Sequence, residues 1–537
     1  MQIAMYVFLN EKSLPLVLWH ALRRRKLVIL DIESFSPVTR TPLEKLGRML
    51  FRFGIAQDPD ATLSAEEIRQ SKSWWGSHPD MFMRLEPQVE EYYGFGKIDD
   101  TLSESYAMAC KHGLCKQADR AFQQVTRLRF FERRQREPVR RIIGIPLDTL
   151  NFYRGYFGND PSDYQVDPIA PSPMLNTLTA MAIGFYIIFK AFKLTTFRSE
   201  APRRAFLGAD YIGDRKYIRL LGELAGLPDR LILVFRNIHQ KLMPHEIENR
   251  NGRSGEYVGD GQIPIHSLPA VLMEIVVDLV RIYRLALFLP NGAATEMMKL
   301  PRWRLVFRGF FMKYRFEYFF SRDDYNAEHI IRTDELRRVG TPSLGINHGI
   351  PVPEILNPIW RYVDFDAYYV FGDYFYQNYY APKWGRTMRV RPVGSYGMPT
   401  QDLARLDDPR PTDIVVFSST MPGAAVLIEW ASEIARHFPN RTVYIKHKRI
   451  KERYQEEASS IERPPNLVET NENALELLFK VRYALSTPNS TVVVEMVQFG
   501  VTTFAWDATE ELCSSYYREF PDLCVKSARK FIERIEA

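Results

Sequence analysis

Cysteine is scarce in this chain, with four among 537 residues: Cys110, Cys115, Cys513 and Cys524. So few, so scattered, exclude a disulfide framework and point to a reducing compartment. Cys110 and Cys115 flank His112 in CKHGLC. That spacing matches no common zinc ligand set and no second Cys/His pair follows, so no metal is expected. Long clean apolar runs are missing too. MLNTLTAMAIGFYIIF (174–189) falls short of the roughly 20 residues a membrane span needs and is bounded by Lys190. LPAVLMEIVVDLVRIYRLALFL (268–289) has the length but carries Glu274, Asp278, Arg281 and Arg284 at helical spacing. Both read as buried or interfacial amphipathic helices. The N-terminal segment places its positive charge after its apolar run, the reverse of a secretory signal, so none is expected. Nor is there a large excess of one charge. A formal net charge of +6 implies no nucleic-acid partner, yet leaves room for local basic patches facing phosphate or anionic lipid.

What is present is a globular composition, 46% hydrophobic and 25% charged, in a chain long enough for two or three domains. No internal repeat is evident. The character changes near residue 340. Before it, KLVILDIESFS (26–36), RAFLGADYIGD (204–214) and DRLILVFRNIHQ (229–240) read as strand-to-loop transitions, and RNGRSGEYVGDGQIP (250–264) reads as a loop. LRFFERRQREPVRR (128–141) and PRWRLVFRGFFMKYRFEYFF (301–320) interleave basic residues with aromatics. Such alternation suits a lipid headgroup surface, or equally a half-buried helix whose arginine stems cover apolar neighbours.

From about residue 410 the rhythm is regular. TDIVVFSST, RTVYIKHKR, PNLVET, RYALSTP and VTTFAWD read as strands, separated by helical segments. This alternation argues an α/β fold with a parallel sheet, whose ligands bind outside the carboxyl ends of the strands. Ser418 and Ser419, then Lys446, His447 and Lys448, fall at such ends. In STPNSTVVVEMVQFG (486–500), Asn489, Ser490 or Thr491 is positioned to cap a helix whose free N–H groups suit a phosphate. Glu495 follows about one turn later, where a ribose diol is within its reach. Upstream, TPSLGINHGIPVPE (341–354) delivers His348 and Gly349 to a turn at a strand end. A histidine there is suited to accept a proton from a hydroxyl. In SRDDYNAEHIIRT (321–333), Asp323 and Asp324 read either as a helix cap or as acceptor-side acids, beside Asp210, Asp260 and His329.

NHG before DAYYVFGDYF, together with VGSYGMP, YIKHKR and STPNSTVVVEMVQFG, resembles the GT-B glycosyltransferases. More narrowly, it resembles bacterial surface and capsular polysaccharide transferases, including the CDP-glycerol glycerophosphotransferase-like group. The likeness covers about residues 340–510. It implies two Rossmann-like domains facing across a cleft, with extra helices in the N-terminal half. On that reading 1–340 is the acceptor side, 341–400 the cleft strand and interdomain connection, and 401–537 the donor-binding domain. His348 with Gly349 is the implied catalytic pair, with Asp323 an acceptor-side candidate. Donor binding falls to Ser418, Ser419, Lys446, His447, Lys448, Asn489, Ser490, Thr491 and Glu495. The prolines flanking the group's strand-end histidine are missing around His447. The earlier glutamate of retaining enzymes is replaced by Thr487, which favours inversion.

The expected activity is metal-independent sugar transfer from a nucleotide-activated donor, a substrate rather than a cofactor, to a glycan or lipid-linked acceptor. Two alternatives stand beside it: transfer of a polyol phosphate from a CDP-linked donor, and an inactive scaffold in a membrane polysaccharide-synthesis complex. The expected location is cytoplasmic, peripheral at the inner face of the membrane.

Overall fold

The computed structural model describes the chain apart from residues 1–3, 24, 33–36, 64, 73, 79, 135–138, 160, 162–164, 198–200, 211–230, 237–253, 323, 348, 350–357, 373–379, 397, 399–403, 407–410, 419–423, 448–461, 488–489 and 507–519. Three parallel sheets organise it. The first runs through β1 (Ala4–Leu9), β2 (Lys26–Ile32), β3 (Ala56–Gln57), β4 (Val139–Pro146) and β5 (Gln165–Ile169), in the order β3-β2-β1-β4-β5. A two-stranded pair joins β6 (Thr195–Thr196) to β10 (Ile263–Pro264).

The second sheet takes β7 (Arg203–Asp210), β8 (Leu231–Phe235), β9 (Ser254–Tyr257), β11 (Tyr314–Ser321), β12 (Ser343–Ile346), β13 (Ala367–Val370) and β14 (Arg389–Pro392). Its order, β14-β13-β12-β11-β7-β8-β9, places the first-entering strand β7 inside the sheet, between β11 and β8. The third contains β15 (Ile414–Ser418), β16 (Val443–His447), β17 (Leu467–Glu469), β18 (Tyr483–Ser486), β19 (Thr502–Trp506) and β20 (Cys524–Val525). It is ordered β17-β16-β15-β18-β19-β20. In the second and third sheets the order reverses direction beside the first strand, which opens a crevice at the carboxyl edge. These two sheets are the expected pair of parallel Rossmann-like units. The first sheet is additional.

Two expectations need correction. The boundary at residue 340 falls inside the second sheet, between β11 and β12, and the supposed connection 341–400 supplies three of its strands. Each of those strands, four residues long, is legible by itself; what local pattern does not show is that they pair into the sheet begun before residue 340. The segment 250–264 contains β9, not only loop. Gly255 earns its place there, because a Cβ would meet the Phe235 ring at 2.3 Å.

Of the aromatic-basic segments, the second is mostly core, whereas the first turns Leu128 and Phe131 inward and leaves Arg133 and Arg134 exposed. Leu128 and Phe131 are buried at the end of the helix Glu104–Arg134, and most of the helix Leu300–Lys313 is buried. Within it, Arg304 meets Asp278 at 2.5 Å, Glu335 at 2.8 Å and Asp334 at 3.0 Å. Arg308 joins Glu335 and Glu274. One apolar core runs from Tyr6 to Trp384, joining the first and second sheets. The third sheet has its own, one cluster on each face.

Candidate functional site

Asn347 follows β12 and builds the turn that the sequence places around His348. Its side-chain oxygen accepts from Gly349 N–H at 3.1 Å, the Asx arrangement that lets a short polar side chain replace a backbone turn bond. Its amide nitrogen donates to the Tyr368 hydroxyl at 2.9 Å, and that hydroxyl donates to Asp324 at 2.7 Å. All three side chains are buried, so the turn is held by a closed polar chain rather than by loop geometry alone. Burial, then the neighbouring Asp324 charge, push the Tyr368 phenol well above its ordinary pKa, so it stays a donor. His348 and Asp323 themselves lie outside the described residues.

Across from this turn stands the helix Thr491–Gln498. A Cβ added to Gly349 would lie 3.8 Å from Thr491 Oγ1 and 3.6 Å from the Trp360 ring. That is ordinary van der Waals spacing, so the Asn-His-Gly turn and the late hydroxyl-rich segment face each other. Two further ties hold them. Ser395 N–H donates to Gln498 Oε1 at 2.6 Å, and Phe371 packs with Val493 and Ala505. Gly394 is required at the first tie: its φ is +72°, and a Cβ would collide with the Gln498 amide. Gly349 has no such backbone demand.

The helix start has no side-chain cap. Ser490 sits at the N-cap in an extended conformation, but its side chain makes no capping hydrogen bond. First-turn N–H groups without a cap are donors in search of an acceptor, and the helix dipole favours an anion. Thr487, just beyond β18, is only 4% exposed, and its hydroxyl has no hydrogen-bond partner among the described residues. Its carbonyl accepts from Ser490 N–H at 3.2 Å, which fastens it to the helix start. A buried hydroxyl left unmet is costly, so Thr487 has a donor and acceptor to spare for a water or a bound group. Glu495, one turn on, is 5% exposed.

The cationic strand end is arranged differently from the sequence expectation. Lys446 and His447 are consecutive on β16, so strand alternation sends them to opposite faces. Lys446 shares the face of Tyr444, which packs with the cluster under the helix Thr491–Gln498. Burial lowers its pKa, opposed by the Glu476 and Glu472 charges. His447 lies 3.9 Å from Glu469 on β17, and burial lowers its pKa against that carboxylate. Lys448, Ser419 and Asn489 lie outside the described residues. The Ser418 backbone pairs with His447.

Most acceptor-side candidates turn out to be structural. Asp210 is buried against Arg332 at 2.5 Å and accepts from the Ser321 hydroxyl. His329 stacks on Phe365 at 5.0 Å, accepts from Asp364 N–H at 3.3 Å, and is held well below its ordinary pKa by burial. Asp324 holds Tyr368. Sequence reading gave Thr487 no binding role of its own, only the place of an absent glutamate, and missed the Gln498 tie. The first was legible as a hydroxyl between a buried strand and Pro488. The second is a contact between sheets that no local pattern announces.

No protein-family model matches this chain, and no curated protein matches it. Solved structures do. Phytolacca americana UGT2, complexed with UDP-2-fluoro-glucose and pterostilbene, is 11% identical, with a TM-score of 0.34 over 63% of this chain and 90% of that one. The UDP-N-acetylglucosamine 2-epimerase from Rickettsia bellii is 10% identical, with a TM-score of 0.36 over 62% and 87%. Acinetobacter baumannii MurG is 11% identical, with a TM-score of 0.30 over 60% and 83%. Likeness at this level carries no argument about activity.

Proposed function

We propose that this chain transfers a sugar from a nucleotide-activated donor to a glycan or lipid-linked acceptor. The observation that supports the reading above all is the approach of Gly349 to Thr491, beside the unmet Thr487 hydroxyl. In this reading the donor diphosphate lies at the helix start. Ser490, Thr491 and the first-turn N–H groups bind it, with the Lys446 ammonium as counter-charge. Glu495 serves the ribose. The acceptor oxygen attacks the anomeric carbon from the side of the Asn-His-Gly turn and gives its proton to the His348 imidazole. The bond from that carbon to the phosphate oxygen breaks. The nucleoside diphosphate leaves with the electron pair, its growing charge met by donors already in place.

A thermal-shift panel of CMP, CDP, UDP and GDP tests donor binding, with CMP or UDP expected to raise the melting point more than GDP. A nucleotide at a hundred times its Kd stabilises by about 2.7 kcal/mol. His348→Ala is expected to retain that shift and lose turnover. Equal shifts from all four nucleotides would leave the donor reading without support. Phosphorus in the new linkage, seen by mass analysis of the product, would replace sugar transfer with polyol-phosphate transfer.

A further inference from the structure

The helix Pro173–Leu194 is long and apolar enough to cross a membrane, yet only 17% of its most apolar 18-residue window is buried. It is not a core helix. Met174, Leu178, Met181, Phe185, Phe189 and Phe192 recur at helical spacing on one exposed stripe about 27 Å long. The opposite side is bolted to the protein from end to end. The Asn176 amide donates to the carbonyls of Ala286, Leu287 and Leu289 at 3.0–3.1 Å. Thr177 meets the Tyr283 hydroxyl at 2.9 Å, and Lys190 donates to Gly259 O at 2.8 Å. The helix Leu268–Ala286 runs antiparallel beside it and exposes Met273, Val276, Val277 and Val280, with Phe288 just past its end.

The unpaired charges on these two helices are of one sign, with the Asp260 carboxylate nearby, close to Lys190. The helix Pro173–Leu194 contains no carboxylate. Its neighbour's two, Glu274 and Asp278, are engaged by Arg304, and Glu274 by Arg308 and Arg338 as well. Lys193, Arg281 and Arg284 are exposed, and no ion pair involves them among the described residues. An apolar stripe rich in phenylalanine, with unopposed cations alongside, is the pattern of a helix lying in the headgroup region of an anionic bilayer. An interfacial position suits this helix better than a span, because its inner side packs along the helices Leu268–Ala286, Asn291–Met298 and Leu300–Lys313, the last of them mostly buried.

We propose that the paired helices 173–194 and 268–286 dock this protein on an anionic membrane, the former lying in the interface plane with its phenylalanine stripe among the acyl chains. This places a peripheral attachment on a surface other than the aromatic-basic segments. It stands on the exposed face and its charges, independently of the donor reading.

Co-sedimentation of the full chain with vesicles tests it. Binding is expected to vesicles of phosphatidylcholine containing phosphatidylglycerol, and weaker binding to phosphatidylcholine alone. Phe185, Phe189 and Phe192 are 68%, 70% and 64% exposed, so replacing all three with serine is expected to leave the melting point unchanged. The same triple variant is expected to partition at least about ten-fold less. Replacing Lys193, Arg281 and Arg284 with glutamate is expected to remove the preference for phosphatidylglycerol. A wild-type chain that stays in the supernatant with both vesicles overturns the proposal, as does a serine variant that co-sediments like wild type. A dimer in light scattering that the serine variant dissociates, without vesicle binding, overturns it in favour of contact between copies. Nucleotide thermal shifts are expected to survive in both variants, so failure of docking and failure of the donor reading are separable.

Discussion

At the scale of single residues, the unmet Thr487 hydroxyl is the most direct pointer to a ligand. Replacing it with valine keeps the shape and removes the polar atom. If it served only the fold, the change would destabilise. Since it has no partner among the described residues, Thr487→Val is expected to leave stability unchanged or raise it by about 1 kcal/mol, while reducing the nucleotide-induced melting shift. Calorimetric unfolding with and without nucleotide reads both effects.

Buried imidazoles set a second residue-level property. His78 lies edge-on to Tyr156 and Phe157 and is lowered from its ordinary 6.5 to about 4 by burial, with Arg133 adding to the shift. His329 is lowered by burial as well, with His112 adding to it. Between pH 6.5 and about 4 the unfolded chain binds the His78 proton and the folded chain does not, so stability rises with pH across that window. The melting point is expected to fall as pH drops below 6.5, and His78→Gln to flatten part of that slope.

At the scale of elements, the helices Leu300–Lys313 and Glu328–Arg338 are joined by charge as much as by packing. Glu335 is 1% exposed and accepts from both Arg304 and Arg308. Taking away its charge leaves two guanidinium groups short of a counter-ion in a place water does not reach. Glu335→Ala is therefore expected to cost about 3–5 kcal/mol, measured by urea unfolding. The sequence showed these arginines only as an aromatic-basic run. Their acids come from two other helices, Glu274 and Asp278 from one and Asp334 and Glu335 from the other, and only packing brought the set together. The β15-to-β19 alternation was legible because apolar strand segments and helical segments take turns at short, regular intervals there. Strands β12, β13 and β14 read as strands too, but not as members of one sheet with β11 and β7, while β9 was hidden by its glycine content.

At the scale of the whole molecule, the distribution of cores has a thermodynamic consequence. The first and second sheets share one apolar cluster, whereas the third is stabilised by clusters of its own. Scanning calorimetry is expected to show two transitions, with a bound nucleotide raising the one that belongs to residues 414–537. A single transition at all nucleotide concentrations would mean that the ties at Gly349, Phe371 and Ser395 couple the units fully.

Local chemistry was enough to read an α/β chain with a regular C-terminal unit, a turn at Asn347–Gly349 and a helix start at Ser490, because strand period, Asx turns and capping residues act over a few positions. Tertiary structure alone decided that 341–400 belongs to the second sheet. It also decided that Thr491 stands before Gly349, and that an apolar helix is left outward-facing. Each of these depends on which distant segments meet, and a sequence read neighbour by neighbour has no term for that.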